Sequence, residues 1–219
     1  KRNLISAEIV EQLYILSGGA VIDNIVLKGR GEPLLNLTEL RRALAVILDG
    51  FSPRRVTLST CGIIPGILAL ANEGPAVRLA LSVPSAREEL RERLVPFCAK
   101  YPLADLKAAL ARWQALRGQR ITVETALLGG INTAKEDAAA LAAFVSGLEA
   151  LVNIIPWNPA DGLEFEGRAL RPPEPCETAN FMRILKSLGV KAELRRKKGG
   201  AVCGACGQLG VTEAGSPKN

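Results

Sequence analysis

The chain has no histidine, a single methionine at Met182 and few aromatic residues. No apolar run approaches the roughly 18–20 residues that a membrane-spanning helix needs. The N-terminus, "KRNLISAEIVEQL", has neither an initiator methionine nor a secretory h-region. It reads as an amphipathic helix after a short polar lead, which makes the chain look like a piece of a longer protein cut before residue 1. Five cysteines (Cys61, Cys98, Cys176, Cys203 and Cys206) form an odd, scattered set. In a chain this long they argue for a reducing cytoplasm rather than a disulfide scaffold. Cys203 and Cys206 have the spacing of half a zinc site. A structural zinc wants four ligands, the other cysteines are isolated singles, and no imidazole is available to complete the set. A thioredoxin-like CxxC would open a helix after a first strand, whereas this pair lies near the C-terminus.

What is present is an ordinary globular mixture. Of 219 residues, 48% are apolar and 23% charged, enough for one large domain or two small ones. The net charge of +6 is compatible with a polyanionic partner without demanding one, and equally with a solvated Arg-rich surface.

Short β-type runs alternate with helix-length amphipathic stretches. Residues 6–18 place Ile9, Val10, Leu13 and Leu16 on one helical face. Strands are expected at 24–29, 54–60, 77–83, 120–128 and 151–158, and a last one at "KAELRR". Helices are expected at 36–50, over "GIIPGILALANEG" with an early break at Pro65, and at 134–148 and 177–188. Two more within 85–117 are separated by "YPLADL", and residues 159–175 read as a Gly/Pro-rich loop. This alternation means right-handed βαβ units on a parallel sheet, either barrel-like or doubly wound. Both architectures draw ligand groups from the C-terminal ends of strands.

Those ends are polar. The first runs into "GRGEPLLN", where Glu32 and flexible glycine backbone can meet an ammonium group or simply cap a turn. The second ends in Ser59-Thr60-Cys61 and the third in Ser82-Val83-Pro84; hydroxyls there suit a ribose or carboxylate, or a helix cap. Glu124 lies on the fourth. Asn158 ends the fifth, held extended by Pro159. Together they describe a mouth suited to a polar, zwitterionic or nucleoside-like ligand.

"GRGEPLLN", "RRVTLST", "LALS", "VETALLGGIN", "NIIPWNP" and "CGACGQLG", in this order and spacing, resemble the RlmN/Cfr family of radical-SAM RNA (adenine) methyltransferases, from Arg2 to about Leu209. The resemblance implies an α/β fold, a radical-SAM partial (β/α)6 barrel with a parallel sheet. It also implies that this chain lacks the first strand and the CxxxCxxC loop that holds a [4Fe–4S] cluster, since no three cysteines here have that spacing. On that reading residues 1–210 are the catalytic core and 211–219 a flexible tail.

The resemblance assigns S-adenosylmethionine (SAM) to Gly31, Glu32, Ser59, Ser82 and Asn158. It makes Cys206 the cysteine that is methylated by one SAM. A radical made from a second SAM then activates that methyl group for addition to C2 of an adenine. C2 of adenine is not nucleophilic, so polar methylation fails and the cofactor carries the hard chemistry. Small neighbours, Gly204, Ala205 and Gly207, keep the Cys206 backbone slim. Arg195, Arg196, Lys197 and Lys198 form either a phosphate-binding edge or a charge-protected edge strand. The implied partners are ribosomal RNA, and transfer RNA as a second substrate, with an electron donor for the cluster. The implied enzyme is a cytoplasmic monomer without membrane association, and this chain alone is expected to be inactive for want of cluster ligands.

Three departures stand out. The histidine usual after Ser82 is absent, Arg30 replaces a methionine, and Cys203 interrupts a stretch that is usually acidic. They leave open a radical-SAM paralogue with another substrate, and a cluster-less RNA-binding module or pseudoenzyme.

Overall fold

A computed structural model describes residues 2–28, 31–159 and 163–195. Six parallel strands form one sheet: β1 (Ile25–Leu27), β2 (Val56–Thr60), β3 (Arg78–Ser82), β4 (Ile121–Leu127), β5 (Ala150–Pro156) and β8 (Ala192–Leu194). Their spatial order is their chain order. With right-handed crossovers, a sheet wound in one direction places its connecting helices on one face. A doubly wound sheet would reverse its strand order, and this one does not. The alternative left open by the sequence is thereby decided for the partial barrel.

The covered face is the core. Leu58, Leu79, Leu81, Ile121, Val123, Val152 and Ile154 are at most 1% exposed. They pack against α2 (Leu37–Gly50), α3 (Ile64–Glu73), α5 (Leu103–Arg117), α6 (Lys135–Val145) and α7 (Pro175–Ser187). β4 shows the rule most plainly: its residues alternate buried and half-buried along all seven positions. That is the period of two expected of a strand with one face in the core.

Two expectations shift. Pro65 does not break a helix but starts one, because the first turn of α3 has no use for its missing N–H. "YPLADL" is not a linker, since α5 begins at Leu103 and a short 3₁₀ turn over Pro96–Lys100 separates it from α4 (Glu88–Leu94). Within the loop after β5 a small hairpin pairs β6 (Glu164–Phe165) with β7 (Arg168–Ala169). It leans on α4 through Arg93, which pairs with Glu166 and stacks 5.2 Å from the Phe165 ring centroid. Ahead of the sheet, α1 (Ser6–Ser17) packs on α2, and its Ser6 N–H donates to Glu39 at 2.7 Å. No helix among the described residues is long and apolar enough to cross a membrane.

Candidate functional site

Among the described residues the sheet's other face carries no helix, and it mixes polar side chains with small and apolar ones. Parallel register aligns Ser82 with Glu124, Glu124 with Asn153, and Asn153 with Glu193. Four adjacent strands thus present one continuous polar row. One step toward the strand N-termini, Ser59, Ala80 and Thr122 align in the same way. A cavity of about 360 Å³ lies on this face, lined by Lys28, Thr57, Thr122, Glu124, Asn153 and Arg195 among others. Arg195 follows β8. Its backbone N–H donates to the Ile154 carbonyl at 2.8 Å, and its guanidinium reaches Glu124 Oε1 at 3.3 Å. The ion pair bridges the bowl from β4 to its edge.

At the rim above β2, the turn at Gly31–Glu32 is fixed by its own carboxylate. Glu32 Oε1 accepts the Leu34 N–H at 3.1 Å, capping the 3₁₀ turn Pro33–Asn36. Its Oε2 accepts the Cys61 N–H at 2.8 Å. One side chain therefore ties the end of β1 to the end of β2. Gly31 has φ +123°, a region that favours glycine, and open space where a Cβ would stand. Across the rim, Asn132 is 1% exposed and fully engaged. It accepts the Leu128 N–H at 2.7 Å and donates to the carbonyls of Pro84 at 2.6 Å and Ala126 at 2.7 Å. It locks the loops after β3 and β4 to each other. The neighbouring Gly129–Gly130 turn is held by Glu177 of α7, which accepts the Gly130 N–H at 2.9 Å and pairs with Arg171 through two contacts at 2.8 and 3.0 Å. The Arg171 hydrogen bonds hold the Glu177 carboxyl well below the usual carboxylate range, at about 2.

Both the sequence and the fold of this chain are similar to those of known proteins. A probable dual-specificity RNA methyltransferase RlmN of Treponema denticola is 41% identical over 220 residues, spanning 98% of this chain and 62% of the relative. That of Moorella thermoacetica is 40% identical, over 95% of this chain and 61% of the relative. A crystal structure of a radical SAM methyltransferase from Sphaerobacter thermophilus superposes with a TM-score of 0.88 at 34% identity, over 96% of this chain and 63% of that one. This chain belongs to the RlmN/Cfr family. It spans about three fifths of the length of the curated relatives it matches. No protein-family model matches it. The Streptococcus suis SuiB structure bound to S-adenosylmethionine shares the fold alone, with a TM-score of 0.63 at 9% identity.

Within the RlmN/Cfr frame the expected ligand residues fall in different places. Ser59 and Ser82 stand on the bare face, each two residues beyond a cavity-lining position, Thr57 and Ala80. Gly31 and Glu32 form the rim turn beside β2. Asn158, 6% exposed, follows β5 just after Trp157, whose N–H donates to the Leu127 carbonyl at 3.0 Å. Arg195 faces Glu124, whereas Arg196, Lys197, Lys198 and Cys206 lie outside the described residues. Among the described residues no three His, Cys, Asp or Glu side chains are grouped to hold a metal. The residues described therefore do not supply a cluster site. Lys28, Thr57, Thr122, Asn153 and Glu193 also line the bowl but were not singled out from sequence. Their signal was available, since Thr57/Ser59 and Thr122/Glu124 are polar residues at every second position of otherwise apolar strands.

Proposed function

We propose that this chain is the SAM-binding core of a cytoplasmic RNA methyltransferase that acts at C2 of adenine in ribosomal RNA, with transfer RNA as a second substrate. Residues 1–210 would serve as the core. The observation that supports the reading most is the in-register polar row Ser82–Glu124–Asn153–Glu193 on the uncovered face of the sheet.

The groups present suit SAM. Its ammonium needs anionic or carbonyl acceptors, and Glu32 stands in a turn that Gly31 leaves unobstructed. A carboxylate has about four lone-pair sites, so accepting the Leu34 and Cys61 N–H groups leaves Glu32 capacity for an ammonium. Ser59 and Ser82 offer hydroxyls to ribose or carboxylate oxygens. Asn158 offers an amide beyond β5. Glu124 pairs with Arg195 beside them, and with Lys28 and Glu193 also lining the bowl its two positive and two negative side chains balance.

In this reading Cys206 is the methyl carrier. Its thiolate attacks the sulfonium methyl of SAM, the S–CH₃ bond to SAM breaks, and S-adenosylhomocysteine leaves after the thiol has given up its proton. Bound SAM supplies the electrophilic methyl for that step. No step is routed through a cluster, for which the described residues have no ligands. The +6 net charge favours a polyanionic substrate such as RNA.

The test uses a longer, cluster-bearing form of the protein with isotopically labelled SAM. Labelled methyl is expected on Cys206 by peptide mass spectrometry and then on RNA, with Cys206→Ala abolishing transfer. Label on Cys203, or undiminished RNA methylation by Cys206→Ala, overturns the assignment.

A further inference from the structure

Cys61 and Cys98 are far apart in sequence and adjacent in space. Cys61 follows β2 at the rim, and Cys98 lies in the 3₁₀ turn after α4. The Cys98 thiol donates to the Cys61 carbonyl oxygen at 3.4 Å, and the two thiols also interact directly. Cys98 is 2% exposed, and Cys61 is half-buried, so the pair is reached from the Cys61 side.

Two charges bear on it. The Arg91 side chain is fully buried; its Nη1 donates to the carbonyls of Tyr101 at 2.8 Å and Cys98 at 3.4 Å and meets Glu88 at 3.2 Å. Among the described residues its Nε and Nη2 have no hydrogen-bond partner, so its positive charge is only partly compensated there. On the opposite side Glu32 binds the Cys61 N–H. Consistently, hydrogen bonding from Cys61 and then the Arg91 charge lower the Cys98 thiol below the ordinary thiol range. Hydrogen bonding to Cys98, burial and the Glu32 charge push the Cys61 thiol upward. Of the two thiols, Cys98 is the more easily ionised once it releases the Cys61 carbonyl.

We propose that Cys61 and Cys98 form an oxidisable dithiol that closes reversibly to a disulfide under peroxide, cross-linking the end of β2 to the turn after α4 beside the rim of the bowl. The Cys98 thiolate attacks one peroxide oxygen, the O–O bond breaks, and hydroxide leaves. The Cys61 sulfur then attacks the Cys98 sulfenic acid, the S–O bond breaks, and water leaves. The Cys61 proton leaves in that water, and the proton that Cys98 gave up on ionising neutralises the hydroxide released in the first step. Once the initial Cys98 proton is counted, two thiols have lost two electrons and two protons and the peroxide has become two waters. In a reducing compartment such a bond is transient and thiol-reversible. Closure would fix the Cys61 amide that holds Glu32. None of this chemistry requires a bound nucleoside.

The test takes the 219-residue chain with Cys176, Cys203 and Cys206 replaced by serine, so that only this pair can react. After equimolar hydrogen peroxide, alkylation in denaturant and digestion, the expected product is a Cys61–Cys98 linked peptide that dithiothreitol releases. Amide hydrogen exchange across residues 57–63 should slow several-fold on oxidation and recover on reduction. Cys98→Ala, with folding checked by near-UV circular dichroism, should show neither effect. A Cys61→Ser variant tests the same loss if Cys98→Ala does not fold. Two fully alkylatable thiols after the peroxide is consumed, or oxidation that stops at separate sulfenic or sulfinic acids, would overturn the proposal.

Discussion

The two faces of one sheet follow opposite rules. On the helix-covered face, Leu81 at 0% exposure is one of a continuous layer of apolar side chains. One residue on, Ser82 points the other way and joins a row of Glu and Asn across four strands. The covered face is built to exclude water, and its residues are interchangeable within limits of volume. The bare face, on the proposed reading, is specified residue by residue by its ligand. Stability and ligand chemistry would then separate along a period of two.

That separation can be broken most visibly at the pair Leu81 and Ser82. Leu81→Ala should cost about 2–5 kcal/mol in urea unfolding, from lost burial and a residual cavity. Ser82→Ala should stay within about 0.5 kcal/mol while weakening binding of S-adenosyl ligands. Comparable stability losses for the two variants would erase the distinction. Glu32 tests the rim, where both rules meet. Removing its carboxylate in Glu32→Ala leaves the Leu34 and Cys61 N–H groups unpaired, with an expected cost of about 1–3 kcal/mol and lost ligand binding.

Acid sharpens the comparison further. The folded Glu177 carboxyl titrates near 2, chiefly because of its hydrogen bonds with Arg171, while an unfolded glutamate titrates near 4.3. A depressed carboxyl adds stability that is fully present above the unfolded value and is lost as pH falls from about 4.5 toward 2. The urea midpoint of the wild type should therefore drop more steeply through that window than that of Glu177→Gln. Parallel curves would remove Glu177 from the account. A small stability effect, like that of Ser82→Ala, is expected from Glu124→Gln on the bare face. Its pair with Arg195, whose side chain is 47% exposed, is worth about 0–1 kcal/mol, so denaturation should barely register it.

The covered face was legible in the sequence because burial imposes a pattern. Short apolar runs gave the six main strands, with termini off by at most two residues, and Gly189 stands at positive φ just after α7. The choice between barrel and doubly wound sheet was not legible in that pattern, since strand order is a long-range property that local periodicity does not encode. The family resemblance supplied it. The hairpin at residues 164–169 was missed because two-residue strands are too short to show a period. At the site, the strand-end hydroxyls and Glu32 were visible as polar residues where apolar strands stop. The proximity of Cys61 to Cys98 was not, because it depends on how the chain after α4 returns beneath β2.

The central claim is that the bare polar face holds the sulfonium nucleoside. Its most direct test is amide hydrogen exchange of the 219-residue chain titrated with S-adenosylhomocysteine, a ligand that cannot react. Protection is expected at the ends of β2 and β3, at the Gly31–Glu32 turn and around Asn158, with α2, α3 and α5 unchanged. Saturating ligand that protects none of these segments, or that protects the helices instead, would contradict the account.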